Sequence, residues 1–511
     1  MEDLAELVAH AAAGTPEGVA LVEAGGRSLT WAQVDDEVGR VATGLGAAGV
    51  VAGHRVLLAL GNRIEFVTTY FGVLRAQAVA VPVNPRSTVD ELHQMITDSG
   101  ALLAFADAET IGSVRKAVAL VERSQVVAVD VTPAMGERSY ADLRSAAAKP
   151  VPPLPDPEKL AVLLYTGGTS GPPRATMLTH RALLANIDQV ARVEPPLMRD
   201  DDVVLAVLPL FHVYGLNAVL GGAVRQGATV VLQEQFDPQD TLDVIARWAC
   251  TVVPLAPAVF APWSAIDGLR ERLSTVRLVL CGSAPLAREV MEEFTGRTDI
   301  PVHQGYGLTE AAPVVTSTLR SRQHQLGSVG APLDGVEVRL VDEHGAVQDG
   351  EDPGEIEIRG VNLFRGYWPD GSGGPDSDGW WRTGDVGILD DTGDLFLVDR
   401  LEEVVIVSGF PVYPREVEDV IRDTDVVTET AVIGVDDEET GAAVVAYVVA
   451  PGVGAAAAEV AVRERCAGRL ARFKQPTRIE VVETLPLSVT GKVQKGRLRG
   501  LERRRALELL Q

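Results

Sequence analysis

The sequence predicts an α/β protein with a large N-terminal domain of parallel-rich sheets covered by helices, a β-rich subdomain within it, and a small α+β C-terminal domain. Three observations carry this. A chain of 511 residues is too long for one ordinary core. Helical and strand patterns alternate along most of it, which in sequence means parallel sheet covered by helices. The texture changes to short strands and turns near Gly327, and the alternation restarts after Asp399.

The N-terminal MEDLAELVAHAAAG is acidic, lacks a basic leading region and reads as an amphipathic helix rather than a signal peptide. From Leu29 to Ala104 the pattern runs WAQVDDEVGRVATGLGAAG (helix), HRVLLAL (strand), RIEFVTTYFGVLRAQ (helix) and AVAVPVN (strand). Gly44, Gly46 and Gly49 have the spacing of a dinucleotide fingerprint but end a helix and precede a strand. That reverses the required order, so they read as a helix exit. LAVLLY (160–165) is a strand of buried type, followed by the glycine-rich YTGGTSGPPRATMLTH (165–180) and a helix with Thr179 as N-cap candidate: strand, loop, helix.

ATVVLQ, CTVVPLAP, VRLVLCG and IPVHQGYG are further strands ending in glycine- or proline-bearing loops. In open parallel sheets ligands sit outside the carboxyl ends of strands, where CGSAPL and QGYGLTE fall. VEVRLVDEHG, GEIEIRG and GILDDTGDLFLV mark the β-rich subdomain at about 327–398. The boundary follows, dividing 1–399 from 400–511. The longest uncharged stretch, Gly441 to Ala458, contains Pro451, Gly452 and Gly454, and reads as strand, turn and helix start rather than a membrane span.

With 46 basic against 71 acidic residues the net charge is −25, which argues against nucleic acid or an anionic membrane as the main partner. Any site for an anion must be a positive island. Lys492, Lys495, Arg497, Arg499, Arg503, Arg504 and Arg505, against only Glu502, form the clearest one, and a solvated basic helix end is the competing reading. Cys250, Cys281 and Cys466 fit no metal or disulfide spacing and suit small core positions in a reducing cytoplasm. The expectation is a cytoplasmic monomer or homodimer acting on small molecules, with peripheral membrane contact left open.

In the 165–180 run, glycines let backbone N–H groups approach anionic oxygens, Thr166, Thr169 and Ser170 add hydroxyls, and Arg174 adds permanent charge. Pro172 and Pro173 stand where a Walker A loop needs Gly and Lys. An unliganded surface turn is the competing reading. LPLFHVYG (208–215), HQGYGLTE (303–310), WRTGD (381–385), VDRLEEVVIVSGFPVYPREVE (398–418) and TGKVQKGRLR (490–499) follow in order. From about Trp31 to the C-terminus, this set resembles the acyl- and aryl-CoA synthetases of the adenylate-forming superfamily, which also holds firefly luciferase and the adenylation domains of peptide synthetases.

The resemblance implies that a carboxylate is joined to ATP, giving an acyl-adenylate and pyrophosphate, and that the CoA thiol then displaces AMP. It assigns Thr166, Gly167, Gly168, Thr169, Ser170, Gly171 and Arg174 to the β- and γ-phosphates, Thr309 to the α-phosphate, and Glu310 to Mg2+. Gly282, Ser283 and Ala284, with Gln304, Gly305, Tyr306 and Gly307, correspond to the adenine pocket, Tyr306 lying against the base. Asp385 accepts both ribose hydroxyls, Arg400 reaches ribose or phosphate, and Gly409 joins the nucleotide-binding positions. His212, which read alone is a satisfied loop histidine, is placed between the acyl pocket and the CoA tunnel. Val213, Tyr214, Leu216, Val253, Leu255 and Val259, core residues when read blind, fit an apolar acyl tunnel in that context. Lys492 belongs between the substrate carboxylate and the α-phosphate, and Glu402 is the hinge of a mobile C-terminal domain. Composition supports Lys492: lysine is rare here and arginine common, so a lysine that any cation could replace tends to become arginine, as at 174.

The chain departs from the pattern at Gly167 (usually Ser), Arg174 (Lys) and Ala175 (Gly), and at Leu401, Glu402 and Glu403, where relatives often carry Lys, Lys or Asp, and Asp. No aspartate follows Phe211 to bind an α-amino group. The leading expectation is an ATP- and Mg2+-dependent medium- to long-chain fatty acyl-CoA ligase. An acyl-AMP ligase loading a carrier protein and an aryl- or short-chain acid CoA ligase are the alternatives. A regulatory nucleotide-binding module is disfavoured, because Lys492, Glu310 and Asp385 are all present.

Overall fold

The computed structural model describes residues 3–153, 156–166, 173–284, 286, 288–323, 325, 327–342, 344–348, 352–407, 410–437, 440–487 and 492–506. The chain divides into two compact units. One is formed by Met1–Gly167, Pro173–Glu337 and Arg359–Trp381, the other chiefly by Val338–Ile358 and Arg382–Gln511.

The first unit is built on two seven-stranded sheets. One runs Val302–Gln304, Leu278–Cys281, Val252–Leu255, Val203–Ala206, Thr229–Leu232, Val19–Glu23, Ser28–Thr30, parallel except for its last pair. The other runs Arg138–Ser139, Gln125–Ala128, Leu103–Ala106, Arg55–Ala59, Val79–Pro82, Leu160–Thr166, Arg174–Thr179, and is likewise parallel up to an antiparallel last pair. Their central strands are buried on both faces, which is why they read as continuous runs of Val, Leu and Ala. One core joins Leu21, Val204 and Val230 of the first sheet to Leu58, Phe105 and Val162 of the second, with Val41, Tyr70 and Leu183 supplied by the helices Trp31–Ala47, Ile64–Arg75 and His180–Ala191. The outer face of each sheet carries a separate core. The Gly44–Gly49 segment is the helix exit expected. Gly49 has φ +88°, and a Cβ at Gly44 would lie 2.0 Å from the Leu143 carbonyl oxygen.

The strand, loop, helix reading of 160–191 needs correction. Arg174–Thr179 is a strand paired antiparallel with Leu160–Thr166, so the glycine loop lies between the two arms of a hairpin and a further strand precedes the helix. The reason is burial: Ala175, Thr176, Met177, Leu178 and Thr179 are all buried, and backbone bonds from Met177 to Gly366 and from Arg365 to Met177 line the strand's other edge. Thr179 caps the helix as expected, accepting from Ala182 N at 3.1 Å.

Most of the second unit's first layer is a four-stranded sheet, Val336–Val341, Gly354–Gly360, Trp380–Leu389, Leu395–Arg400, the β-rich texture of the sequence. Beyond it, Glu429–Asp437, Gly441–Val449 and Arg478–Val481 form a three-stranded sheet with a core on each face: Val417, Ile421, Val444 and Val462 on one, Ile433, Tyr447, Leu485 and Leu498 on the other. The uncharged stretch is the strand Gly441–Val449, a turn and the start of the helix Ala455–Arg469. Among the described residues no helix is long and apolar enough to cross a membrane. The three cysteines are buried and unbridged, and burial pushes their thiols up to about 12 for Cys250 and Cys281 and about 11 for Cys466.

Candidate active site

In the first unit, the edge strand Val302–Gln304 runs into Gly305, Tyr306 and Gly307, where two stretches of backbone nearly touch. A Cβ at 305 would sit 2.7 Å from the Thr316 carbonyl oxygen, and one at 307 only 2.3 Å from that of Pro313. Only glycine permits that approach. The chain folds back on itself here: Leu308 N donates to Pro313 O at 3.0 Å, Val315 N to Tyr306 O at 2.9 Å, and Tyr306 N to Thr316 Oγ1 at 3.2 Å. At the tip a single 3₁₀ turn, Thr309–Ala311, ends on Ala312 in the left-handed region at φ +64°.

The carbonyls of this turn are satisfied in succession. Glu310 O accepts from Phe364 N at 2.8 Å, Ala311 O from Asn362 Nδ2 at 2.7 Å, and Ala312 O from Asn217 Nδ2 at 2.7 Å. Asn217 and Asn362 are fully buried. Glu310 is itself buried, and its Oε1 accepts from the Tyr367 hydroxyl at 2.8 Å. Burial, and next the Glu310 charge, raise the Tyr367 pKa, so the phenol remains a donor. The Arg174 guanidinium lies over the Tyr367 ring, 3.6 Å from its centroid. Thr166 pairs with Arg174 across the hairpin, its Oγ1 donating to Arg174 O at 3.3 Å.

Among the described residues no group of three or more His, Cys, Asp or Glu side chains could cage an ion. Mg2+ seldom uses such cages; it takes one or two carboxylates and completes its shell with phosphate oxygens and water. A single buried carboxylate, Glu310, fits that donor set.

Gly282 and Ser283 follow the strand Leu278–Cys281. The Tyr214 ring packs on Gly282, where a Cβ would lie 3.1 Å from Tyr214 Cε1. Ser283 has φ +71°, uncommon for a serine, and its buried Oγ has no hydrogen-bond partner among the described residues. Strain of this kind clusters at functional sites. Ala284 is half-buried, and Gln304 is buried with Nε2 3.8 Å from Met291 Sδ. His212 Nδ1 accepts from Tyr214 N at 3.3 Å, just before a π-helix, Tyr214–Gly221, a rare form that recurs at functional sites. That helix reaches two places at once: Tyr214 lies on Gly282, and Asn217 holds the turn after Glu310. Val213 and Leu216 are buried in one core and Val253, Leu255 and Val259 in another, so these five line no common tunnel.

In the second unit, Asp385 and Arg400 are register partners across two antiparallel strands, with Arg400 Nε 3.2 Å from Asp385 Oδ1. Lys492 is exposed over part of its surface, but the protein packed around its ammonium, and then the nearby Arg400 charge, bring it below the usual lysine range, with Asp385 opposing. Lys495, three residues on, is no solvated helix end. Its Nζ sits 2.8 Å from Glu403 Oε2 and 2.9 Å from Glu418 Oε1. Arg505 likewise pairs with Glu480 and Glu502, both at 3.1 Å. The backbone of Glu402 lies in the 3₁₀ turn Leu401–Glu403.

Of the expected residues, the first unit thus holds His212, Gly282, Ser283, Ala284, Gln304, Gly305, Tyr306, Gly307, Thr309, Glu310, Thr166 and Arg174. The second holds Asp385, Arg400, Glu402 and Lys492. Gly167, Gly168, Thr169, Ser170, Gly171 and Gly409, with Thr490 and Gly491, lie outside the described residues. Tyr367, Asn217 and Asn362 are additions that sequence reasoning did not supply. FRGYW carried a signal in its Gly-Tyr pair, whereas the asparagines sit unannounced in apolar runs.

Residues 8–368 match the family described as AMP-binding enzyme, and residues 416–492 the AMP-binding enzyme C-terminal domain. The chain is similar to 4-coumarate--CoA ligase 5 of Oryza sativa subsp. japonica, 33% identical over 93% of this chain and 89% of that one. It is also similar to the long-chain-fatty-acid--CoA ligase of Bacillus subtilis (strain 168), 31% identical over 93% and 90%. Among solved structures, ATP-bound MatB from Rhodopseudomonas palustris superposes with a TM-score of 0.88 at 30% identity, covering 97% of this chain and 98% of that one.

Proposed function

Because the chain belongs to the AMP-binding enzyme family, as an ATP-dependent acid:CoA ligase, we propose that it activates an apolar carboxylic acid, a medium- to long-chain fatty acid, by way of an acyl-adenylate. The observation that carries the adenylation reading is the pairing of a buried Glu310 with Arg174 through Tyr367, which offers an anion to Mg2+ and a cation to phosphate. Bound Mg2+ would supply charge neutralisation at the phosphates.

The roles follow from chemistry. Asp385, in register with Arg400, accepts the ribose hydroxyls. Tyr306, carried on a backbone that Gly305 and Gly307 let fold back against Pro313 and Thr316, lies against the base. Thr309 donates to the α-phosphate. Lys492, a compact ammonium, stabilises the charge that develops as the carboxylate attacks. His212, in place of an aspartate after Phe211, suits an acid without an α-amino group. The C-terminal residues 400–511 turn about Glu402 between adenylation and thioester formation. Glu402→Pro should therefore impair CoA transfer more than pyrophosphate exchange, since proline fixes φ near −65° and removes an N–H. Unchanged overall turnover would remove the hinge assignment.

A second substrate reading, an aryl acid, is favoured by the Tyr214 ring packed on Gly282 and by the similarity to 4-coumarate--CoA ligases. The deciding experiment is AMP release from a panel of fatty, short-chain and aryl acids, each with and without CoA. Turnover of fatty acids above aryl acids supports the first reading, and the reverse order replaces it. Release that never depends on CoA overturns the ligase assignment.

A further inference from the structure

Tyr367 touches both an arginine and a buried carboxylate, and its place is closely determined. Trp368 N donates to Ala175 O at 2.8 Å and Met177 N to Gly366 O at 3.0 Å, which runs its segment alongside the strand Arg174–Thr179. Phe364, whose N donates to Glu310 O, sets its ring edge-on to Tyr367 with centroids 5.1 Å apart. Gly373, at φ +68°, closes the far side: a Cβ there would lie 3.1 Å from the Tyr367 ring and 3.3 Å from Arg174 Nη2. The guanidinium is thus bracketed between a ring face and a glycine, while the hydroxyl of the same ring holds Glu310 Oε1.

We propose that Tyr367 is a positioning residue for adenylation that keeps Arg174 and Glu310 apart. The proposal rests on the acid:CoA ligase reading above. A guanidinium and a carboxylate that share a site attract one another, and a bidentate pair between them would leave neither for the nucleotide. Tyr367 satisfies both without neutralising either: the ring face takes the cation, and the hydroxyl takes one carboxylate oxygen. The Tyr367 contacts leave the Glu310 charge to Mg2+ and the Arg174 charge to the β- and γ-phosphates. The planar guanidinium also suits the ring better than an ammonium would, which gives Arg174 a reason in this chain.

The test uses the full-length protein and measures ATP binding by calorimetry, without any carboxylic acid, across a series of Mg2+ concentrations. Tyr367→Phe keeps the ring and loses the hydroxyl. The Mg2+ concentration needed for half-maximal ATP binding should rise about tenfold, excess Mg2+ should restore binding, and the thermal midpoint should stay near that of the parent. In a Glu310→Gln background the same change should add nothing further. Tyr367→Leu, which also removes the ring face, should weaken ATP binding even at saturating Mg2+. An unchanged Mg2+ requirement in Tyr367→Phe overturns the proposal, as does a full additional loss in the Glu310→Gln background. Because no acid is present, these outcomes do not depend on the substrate screen: failure of every acid to release AMP sinks the ligase reading and leaves this measurement interpretable.

Discussion

The turn that carries Glu310 and the segments around Lys492 fix charges of opposite sign by opposite means. The groups described around the Glu310 turn are neutral: the Tyr367 hydroxyl, the Phe364 amide, and the side-chain amides of Asn362 and Asn217. In the segments around Lys492 the charged groups pair with one another, Arg400 with Asp385 and Lys495 with Glu403 and Glu418. Neutral donors set a position without consuming charge and are indifferent to pH and salt. Ion pairs set a position and a proton affinity together, and they re-sort when an anionic ligand arrives. On the roles proposed above, Glu310 as a metal ligand is suited to the first kind of support, and Lys492 as a cation for adenylation alone to the second.

The sharpest way to break this comparison is Lys492→Ala. Adenylation should fall by about a hundredfold to a thousandfold or more, because the ammonium acts on charge that develops in that transition state. Thioester formation from supplied acyl-AMP should survive. Equal losses in both half-reactions would remove the distinction between the two sites. Next in size is Lys495→Met, which strands Glu403 and Glu418 in a buried setting and should cost about 3–5 kcal/mol in urea unfolding. Adding Glu403→Gln and Glu418→Gln should recover much of that. A single variant as stable as the parent would show that the ionic half is ornamental.

Asn362→Leu tests the neutral half. It leaves the buried Ala311 carbonyl without its amide donor and should cost about 1–3 kcal/mol, with little dependence on salt. Strong salt dependence would count against the contrast. The smallest effect is a shift in a pH profile. The Lys492 ammonium is held below the usual lysine range, so on its proposed role adenylation should fall on the alkaline side earlier than an ordinary lysine would dictate. Arg400 is among the causes of that lowering and Asp385 opposes it. Arg400→Gln should therefore move the alkaline limb to higher pH and Asp385→Asn to lower pH, whatever each does to KM. Movement in the same direction would mean that another group is titrating.

Much of this architecture was legible in the sequence because it is written in local patterns. The alternation of strands and helices, the exit at Gly49 and the cap at Thr179 each depend on a few neighbouring residues. Glu310 and Lys492 came to notice through the runs HQGYGLTE and TGKVQKGRLR and the resemblance they carry, not through a local pattern. The strand Arg174–Thr179 was not legible, because its β-character comes from pairing on both edges and from burial, while its sequence follows directly on a glycine-proline loop. Asn217, Asn362 and Tyr367 escaped for a related reason: each acts on a carbonyl or carboxylate far away in sequence. The expected acyl tunnel failed where period-two burial put Val253 and Leu255 on the outer face of a sheet.

Cys281 ends the strand that delivers Gly282 and Ser283. A protein that makes acyl-adenylates handles a mixed anhydride that acylates any good nucleophile it meets, and thiolate sulfur is among the best. Yet this chain's three thiols are all buried, and burial holds Cys281 at about 12, so at neutral pH only on the order of one in a hundred thousand is ionised. The protein therefore offers its own intermediate no competing sulfur. Protection of the Cys281 thiol from acylation is a consequence of how tightly that strand is packed.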